Sequence, residues 1–184
     1  MLKSLILVTG PPGIGKTSIL RRTVKELKNR KYAVGGMVCR EVREAGARVG
    51  FEIVDLSTGA RGWLAHVNQP TGPKIGKYRV NLTDLEVIGV GAILNAIQNV
   101  DILAVDEIGP MELSSNAFSN ALIEAVESNK PMLGTIHYGL SNPLVNSIKT
   151  REETEILRVT YENRESLHSL IADKISEHLT KTGK

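Results

Sequence analysis

The sequence contains little cysteine, few aromatic residues and no long apolar run. Cys39 is the one cysteine among 184 residues, and Phe, Trp and Tyr together make up 4%. A lone thiol excludes an internal disulfide, so Cys39, which lies in an apolar run, is expected to be a small core residue in a reducing compartment. No apolar stretch approaches the roughly 20 residues of a membrane-spanning helix. These absences favour a cytoplasmic protein with no membrane association.

Two further absences concern secretion and metal ions. The apolar start of the chain, residues 5–8, is too short for the apolar part of a signal peptide. The four histidines and the cysteine do not have the spacing of a zinc site. We therefore expect neither a secretion signal nor bound zinc.

The charge of the chain carries little information about partners. A net charge of +3 with 23% charged residues is ordinary for a globular protein. Basic residues crowd the end of the first predicted helix, where positive charge is favourable against the helix dipole. This favours a solvated helix face over a nucleic-acid patch, so no nucleic-acid partner is expected. The length predicts a single domain over residues 1–184 with its own core.

A glycine-rich turn follows the first apolar run. Its sequence, GPPGIGKT, fits the phosphate-loop pattern G-x-x-x-x-G-K-[ST] between a predicted strand and a predicted helix. Backbone N–H groups at a helix N-terminus hold a polyanion, and glycines permit its close approach. Lys16 is therefore predicted to reach the β- and γ-phosphates of a nucleotide, and the Thr17 hydroxyl to bind Mg²⁺. The predicted nucleotide-binding residues of the loop are Gly10, Pro11, Pro12, Gly13, Ile14, Gly15, Lys16 and Thr17.

A second apolar run, residues 101–107, ends in two carboxylates. The pattern predicts a buried parallel strand that delivers Asp106 and Glu107 to the same sheet edge as the phosphate loop. Asp106 is predicted to bind Mg²⁺, through water, and Glu107 to orient or deprotonate the attacking water. Asp101 lies roughly 16 Å down the strand at ~3.3 Å per residue and is not a candidate. Together the two motifs predict a magnesium-dependent nucleoside-triphosphate site.

Short strands and turns follow the first helix. Residues 33–42 and 49–55 are predicted to form a β-hairpin, and residues 63–66 a further short strand. The resulting insertion, over about residues 40–66, is expected to form one wall of the active site. Residues 67–77, rich in Pro, Gly, Asn and Gln, are predicted to be a surface loop.

The rest of the chain alternates between predicted helices and strands, which favours a mostly parallel sheet. We therefore predict an α/β fold of the P-loop type, a mostly parallel sheet flanked by helices with the β insertion after the first βα unit. The predicted elements are a helix to Asn99 opened by a capping box Thr83-x-x-Glu86, a helix over 116–128, a strand over 131–137, a helix beginning at Pro143, a strand over 155–160, and a C-terminal helix with Leu167, Leu170, Ile171 and Ile175 on its apolar face.

Two polar residues end the predicted strand over 131–137. At this edge of the sheet Thr135 and His137 are placed to contact the γ-phosphate or the attacking water. The alternative for Thr135 is a hydrogen bond with its own backbone.

Several motifs taken together resemble the small nucleoside-triphosphatase family that includes enzymes of thermophiles and the cancer-related nucleoside-triphosphatase of vertebrates. The segment DEIGxMEL over residues 106–113 is the most specific of them, and one departure is Pro110, where the family commonly has lysine. The other segments are GPPGIGKT, Glu41-Val42-Arg43, Arg48-x-Gly50-Phe51, Arg61-Gly62-x-Leu64, Gly76-Lys77-Tyr78, Leu133-Gly134-Thr135 and Thr160-x-x-Asn163-Arg164.

The resemblance implies a sheet with an added strand between the two motif-bearing strands, and slow hydrolysis of ATP, GTP and other NTPs to the diphosphate and phosphate. It makes Arg48 and Arg61 candidates for an arginine that offsets charge in the transition state, the alternative being ion pairs with Glu41 or Glu52. The other nucleotide contacts that it implies are Ile108, Gly109, Asn163 and Arg164. Asn163 is alternatively the N-cap of the last helix.

Other functions remain open at this stage. A nucleotide or small-metabolite kinase would use the same site with an acceptor hydroxyl in place of water. A GTP-dependent switch is disfavoured because the nearest match to Asn-Lys-x-Asp, residues 129–132, lacks the aspartate and precedes its strand. A dinucleotide site is disfavoured because Lys16 and Thr17 follow Gly15 where a third glycine is needed. Since the site is complete within one chain, a monomer is expected.

Overall fold

A nine-stranded sheet forms the centre of the protein in the computed structural model, which describes residues 3–183. The strands are β1 (Leu5–Thr9), β2 (Val34–Glu44), β3 (Ala47–Asp55), β4 (Arg61–His66), β5 (Lys74–Ile75), β6 (Tyr78–Val80), β7 (Ile102–Ile108), β8 (Met132–Ile136) and β9 (Thr154–Arg158). The helices are α1 (Lys16–Asn29), α2 (Leu82–Asp84), α3 (Gly91–Asn99), α4 (Asn116–Glu127), α5 (Pro143–Lys149) and α6 (Leu167–Thr182). A π-helical segment, Leu85–Val90, joins α2 to α3, and a 3₁₀ turn, Glu112–Ser114, precedes α4.

The strand order is β5-β6-β4-β3-β2-β7-β8-β1-β9. From β2 to β9 neighbouring strands are parallel, and from β2 outward to β5 they are antiparallel. The predicted α/β class, with a parallel core and an antiparallel insertion, is therefore confirmed. β8 lies between β1, which precedes the phosphate loop, and β7, which carries Asp106 and Glu107. This is the added strand that the family resemblance implied.

Apolar side chains cover both faces of the parallel strands. Ile6 and Val8 of β1 contribute to one core with the buried residues of α1 and α6, and Leu5 and Leu7 to a second core with α3 and α4. Burial on both faces explains why β1 and β7 read as continuous apolar runs. Gly36 lets β2 approach β7 closely, since a Cβ there would lie 2.1 Å from the Ala104 carbonyl oxygen.

The antiparallel wing differs from the sequence prediction in the start of β4 and in the two short strands β5 and β6, which were not predicted. β4 begins at Arg61, two residues early, because Asp55 closes the preceding turn by accepting hydrogen bonds from Ser57 N at 2.8 Å and the Thr58 hydroxyl at 2.7 Å. The predicted loop over 67–77 contains the short strand β5, and β6 follows it directly. Strands of two and three residues are too short to carry an alternating apolar signal. The predicted hairpin is confirmed, with Ala45 and Gly46 in its turn at φ 46° and 81°.

The helix that ends at Asn99 does not begin with the predicted capping box. Its N-cap is Asn81, whose Oδ1 accepts a hydrogen bond from Asp84 N at 3.1 Å. Glu86, which would have completed the box with Thr83, instead accepts a hydrogen bond from the Ser115 hydroxyl at 2.9 Å. The hydrogen bond from Ser115, the N-cap of α4, therefore replaces the capping interaction that the local sequence predicted. The chain then continues into α3 through the π-helical segment Leu85–Val90.

Two other expectations concern burial. The C-terminal helix begins at Leu167 and buries Leu167, Ile171 and Ile175, but Leu170 is 48% exposed and does not belong to the apolar face. Cys39 is buried in the core, as predicted. Within residues 3–183, every helix is too short or too polar to cross a membrane.

Candidate active site

The phosphate loop joins β1 to α1. Ile14 anchors it by burying its side chain in the core, while Pro12 and Gly13 are exposed. Gly13 and Gly15 have positive φ angles of 76° and 111°, a conformation that side chains disfavour. α1 starts at Lys16, so the N–H groups of its first turn have no intrahelical partner and face the loop opening. This arrangement is suited to binding phosphate groups.

Lys16 connects the loop to the end of β7. Its Nζ donates a hydrogen bond to the Gly10 carbonyl oxygen at 3.1 Å and lies 3.6 Å from Glu107 Oε2. The Lys16 side chain is only 9% exposed, and that of Glu107 is 27% exposed. The lysine is thus held between the loop and the carboxylate, where phosphate oxygens of a bound nucleotide would compete for it.

Asp106 is the most enclosed group of the site. Its Oδ1 accepts hydrogen bonds from the hydroxyls of Thr17, at 3.1 Å, and Thr135, at 2.5 Å, while its Oδ2 is buried without a hydrogen-bond partner. Burial raises the pKa of Asp106 to about 6, although the two hydroxyls oppose the shift. Thr135 therefore contacts the site through Asp106, not its own backbone.

The same residues fit a magnesium ion. A hydroxyl from Thr17 and a carboxylate from Asp106 are oxygen donors of the kind Mg²⁺ prefers, and the unpartnered Asp106 Oδ2 supplies a free ligand atom. In the described part of the chain no three His, Cys, Asp or Glu side chains are grouped closely enough to hold a metal. Such an ion would therefore take its remaining ligands from water and phosphate oxygens, as Mg²⁺ commonly does.

Glu112 is a second buried carboxyl that sequence reasoning did not assign to the site. It is 4% exposed, and burial raises its pKa to about 8. A Cβ at Gly109 would lie 3.0 Å from Glu112 Oε2 and 3.2 Å from Glu107 Oε1, so glycine leaves room for both carboxyls. The sequence feature that could have identified Glu112 is its position in the DEIGxMEL segment. The motif alone does not show that the side chain turns back toward the site.

A cavity of about 800 Å³ opens in front of these groups. The phosphate loop, Asp106 and Glu107 form one side of it, and the antiparallel wing the other. Arg48 lies on the wing side, where it donates hydrogen bonds to the Tyr78 hydroxyl at 2.8 Å and to Glu41 Oε2 at 3.0 Å.

The two arginines suggested by the family resemblance are placed differently. Arg48 lines the cavity, whereas Arg61 lies outside it, 3.9 Å from Glu52 Oε2. Each is thus near a hairpin carboxylate, as the alternative interpretation expected. Two arginines that the sequence did not single out, Arg21 and Arg40, also line the cavity. The signal for Arg21 was its position on α1 one turn after Thr17.

Only some of the other residues that were predicted to contact the nucleotide line the cavity. Of the loop residues, Pro12, Gly13, Gly15, Lys16 and Thr17 line the cavity, whereas Gly10, Pro11 and Ile14 do not. Ile108 is buried in the core, and Gly109 provides space for carboxyls without lining the cavity. Pro110 and His137 do line it.

Asn163 and Arg164 do not line the cavity. The Asn163 side chain binds the backbone of its own turn, accepting from Thr160 N and donating to Arg158 O, both at 2.9 Å. It is not the N-cap of α6, a position held by Ser166. The Arg164 guanidinium lies 5.3 Å from the centre of the Tyr161 ring. Both residues therefore stabilise the turn between β9 and α6 in this structure.

Comparison with known proteins agrees with this architecture. The chain is 46% identical over 171 residues to the nucleoside-triphosphatase THEP1 of Thermofilum pendens, covering 92% of this chain and 94% of that protein. It is 42% identical over 175 residues to the protein of the same name from Methanosarcina acetivorans, covering 95% and 98%.

Two solved structures share the fold. THEP1 from Aquifex aeolicus superposes with a TM-score of 0.80 at 27% identity, covering 90% of this chain and 95% of that one. A human cancer-related nucleoside triphosphatase superposes with a TM-score of 0.76 at 32% identity, covering 96% and 97%. The profile of the family described as NTPase matches residues 5–172. With its phosphate loop, buried aspartate and adjacent glutamate in one cavity, the chain belongs to this NTPase family.

Proposed function

We propose that the protein is a magnesium-dependent nucleoside-triphosphatase that hydrolyses ATP, GTP and other NTPs to the diphosphate and phosphate. The observation that carries the proposal is the convergence of Lys16, Thr17, Asp106 and Glu107 on one cavity, with Asp106 Oδ2 buried and unpartnered. The relatives named nucleoside-triphosphatase support it.

Substrate binding begins at the phosphate loop. The free N–H groups at the start of α1 bind the β- and γ-phosphates, and Lys16 places its charge beside them. In the structure Lys16 Nζ contacts the Gly10 carbonyl oxygen and Glu107. Because phosphate oxygens offer lysine a stronger partner, their arrival draws the ammonium away from Glu107 and leaves that carboxylate available to water.

Asp106 and Thr17 would hold Mg²⁺ beside the phosphates. When bound, the ion supplies positive charge that offsets the charge of the β- and γ-phosphate oxygens. Thr135 orients Asp106 through the 2.5 Å hydrogen bond, so that Oδ2 is directed away from its hydroxyl partners.

Glu107 acts on the attacking water. Its carboxylate accepts a proton from the water while the water oxygen forms a bond to the γ-phosphorus. The bond between the γ-phosphorus and the bridging oxygen breaks, and the nucleoside diphosphate leaves with that electron pair. Arg48 is our candidate for offsetting the charge on the transferred group, since it lines the same cavity.

Broad base specificity and a monomeric, cytoplasmic state are parts of the same proposal. Asn163 and Arg164, the suggested base contacts, are engaged within their own turn, which favours weak discrimination between bases. All the side chains assigned to catalysis come from one chain, which is consistent with a monomer.

A phosphotransferase is the second candidate. The cavity extends past Glu107 to an apolar wall formed by Phe51, Leu64, Ile75 and Tyr78, which water alone does not require. An organic acceptor bound against that wall would present a hydroxyl to the γ-phosphate in place of water.

The test is phosphate release from ATP, GTP, CTP and UTP, with and without Mg²⁺ and without any acceptor, by the wild type and Glu107→Gln. We expect slow release from several NTPs that requires Mg²⁺, and a fall of at least ~10²-fold in Glu107→Gln with Mg-NTP binding retained. Tight Mg-NTP binding without release would favour the phosphotransferase. Loss of both binding and turnover in the variant would make Glu107 a ligand or structural residue.

A further inference from the structure

A second concave surface lies beside the nucleotide cavity, between α1 and the first strands of the antiparallel wing. It has a volume of about 530 Å³, and it is defined here as the α1 groove. Its cationic lining consists of Arg21, Lys25 and Lys28 of α1, Arg40 of β2 and Arg61 of β4. None of the described residues that line it is acidic.

Glu52 is a carboxylate that contacts two of these cations. It forms an ion pair with Arg40 at 2.6 Å and lies 3.9 Å from Arg61. One carboxylate therefore serves two arginines, and Lys25 and Lys28 add two further charges on the facing helix. Like charges gathered around one groove repel each other unless an anion joins them.

The helix dipole does not explain this cluster. Positive charge near the C-terminus of α1 is favourable, which accounts for Lys28. Arg40 and Arg61 belong to strands, yet they line the same groove. Cations from α1, β2 and β4 converge on one groove, which indicates a binding site for an anion. The sequence alone predicts only a solvated basic face on α1.

The floor of the groove indicates that the ligand also has an apolar part. Val24, Val38, Val54 and Leu56 form an aliphatic surface between the cationic side chains. Guanidinium groups match the geometry of phosphate oxygens, and an aliphatic surface takes an apolar or planar body. The volume lies within the range of small-molecule pockets.

We propose that the α1 groove binds a small organic phosphate, of mononucleotide size, at a site separate from the phosphate loop. Arg21 and Arg40 line both this groove and the nucleotide cavity. A phosphate in the groove competes with a nucleotide in the cavity for these two guanidinium groups, so we expect it to raise the KM for Mg-NTP. The proposal depends on the groove alone and holds whether the phosphate loop hydrolyses NTPs or transfers their phosphate.

The experiment uses the ¹⁵N-labelled full chain saturated with Mg²⁺ and a β,γ-imido analogue of ATP, so that the phosphate loop is occupied. Titration with 5′-AMP, followed by NMR, should shift the backbone amides of Val38 and Val54 at the groove floor and leave those of Gly13 and Gly15 unchanged. Adenosine, which lacks the phosphate, should bind at least tenfold more weakly.

The decisive variant is Lys25→Ala/Lys28→Ala, since neither lysine lines the nucleotide cavity. We expect its Kd for 5′-AMP to rise at least tenfold while hydrolysis of NTP without AMP stays within twofold of wild type. The matched control is Lys174→Ala/Lys181→Ala, which removes the same charge from α6 and should leave the Kd unchanged.

Three results would overturn the proposal. One is the absence of AMP-dependent shifts at the groove floor in the loaded protein. Another is an equal loss of affinity in both double variants, which would indicate net charge and not a site. The third is binding of a single-stranded decanucleotide at the groove floor where AMP does not bind, which would assign the groove to nucleic acid. Failure of the analogue to occupy the phosphate loop would instead count against the proposed function, and the comparison of variants would still report on the groove.

Discussion

The Thr135 hydroxyl on β8 donates a hydrogen bond to Asp106 on the neighbouring strand β7, with 2.5 Å between the two oxygens. Thr17, in the first turn of α1, donates to the same carboxylate oxygen at 3.1 Å. The aspartate is therefore fixed from two sides, and its other oxygen is left for a ligand. The position of this carboxylate, the proposed Mg²⁺ ligand, therefore depends on β8 as well as on β7, the strand that carries it.

Replacing Thr135 by valine should change the pH dependence of the enzyme. The hydroxyl lowers the pKa of Asp106 against the effect of burial, so its loss raises that pKa further above its usual value. Since a protonated Asp106 binds Mg²⁺ poorly, kcat/KM should begin to fall at a higher pH in Thr135→Val than in the wild type. Measurement of kcat/KM from pH 5 to 8 tests this. Thr135→Ser is the control and should keep the wild-type profile, whereas identical profiles for all three would give Thr135 a packing role only.

Lys16→Ala should weaken both nucleotide binding and turnover, because it removes the charge that we propose contacts the β- and γ-phosphates. The Kd for a fluorescent Mg-NTP and the rate of phosphate release would be measured on the same preparation. Unchanged turnover would remove the phosphate loop from the mechanism.

Arg48→Ala should lower kcat at least tenfold, a loss of about 1.4 kcal/mol in transition-state stabilisation. Arg48 lines the cavity and is the candidate for offsetting charge on the transferred phosphate. The matched control is Arg43→Ala, because Arg43 also pairs with Glu41 but does not line the cavity. Steady-state kinetics on both variants decides the role. Equal effects would show that Arg48 serves only the hairpin ion pairs.

Glu112→Gln should alter the pH dependence of stability. The pKa of Glu112 is raised by burial to about 8 from the model-peptide value of 4.5, so between these values the folded protein retains a proton that the unfolded chain has lost. The free energy of unfolding of the wild type should therefore fall relative to Glu112→Gln as the pH rises from 5 to 8, by up to about 1.4 kcal/mol per pH unit.

Urea unfolding of both proteins at each pH measures this difference. A difference that stays constant across the range would contradict a protonated Glu112 in the folded state.

Much of the site was predictable because its determinants are contiguous. GPPGIGKT and the apolar run ending in Asp106 and Glu107 each combine a buried strand with polar groups at its carboxyl end. Strands of this kind bring their carboxyl ends to one edge of a parallel sheet, so the meeting of the two motifs followed from their pattern. The hairpin turn at Ala45 and Gly46 was likewise local.

The tertiary structure decided what depends on contacts between distant segments. Arg48 and Arg61 lie on the neighbouring strands β3 and β4. Arg61 pairs with Val54 near the end of β3, whereas Arg48 lies near the start of β3, so Arg48 lines the cavity and Arg61 the α1 groove. Glu86 left its predicted capping box because Ser115, 29 residues away, supplied a hydrogen bond.

The sequence by itself therefore determined the phosphate loop, the strand that carries Asp106 and Glu107, and the α/β class, because backbone conformation and strand burial follow from adjacent residues. The tertiary structure alone decided that Thr135 holds Asp106, that Glu112 is buried beside the site and that cations from α1, β2 and β4 share a groove. Each of these depends on which strands and helices become neighbours, and that choice is made by packing of the whole core.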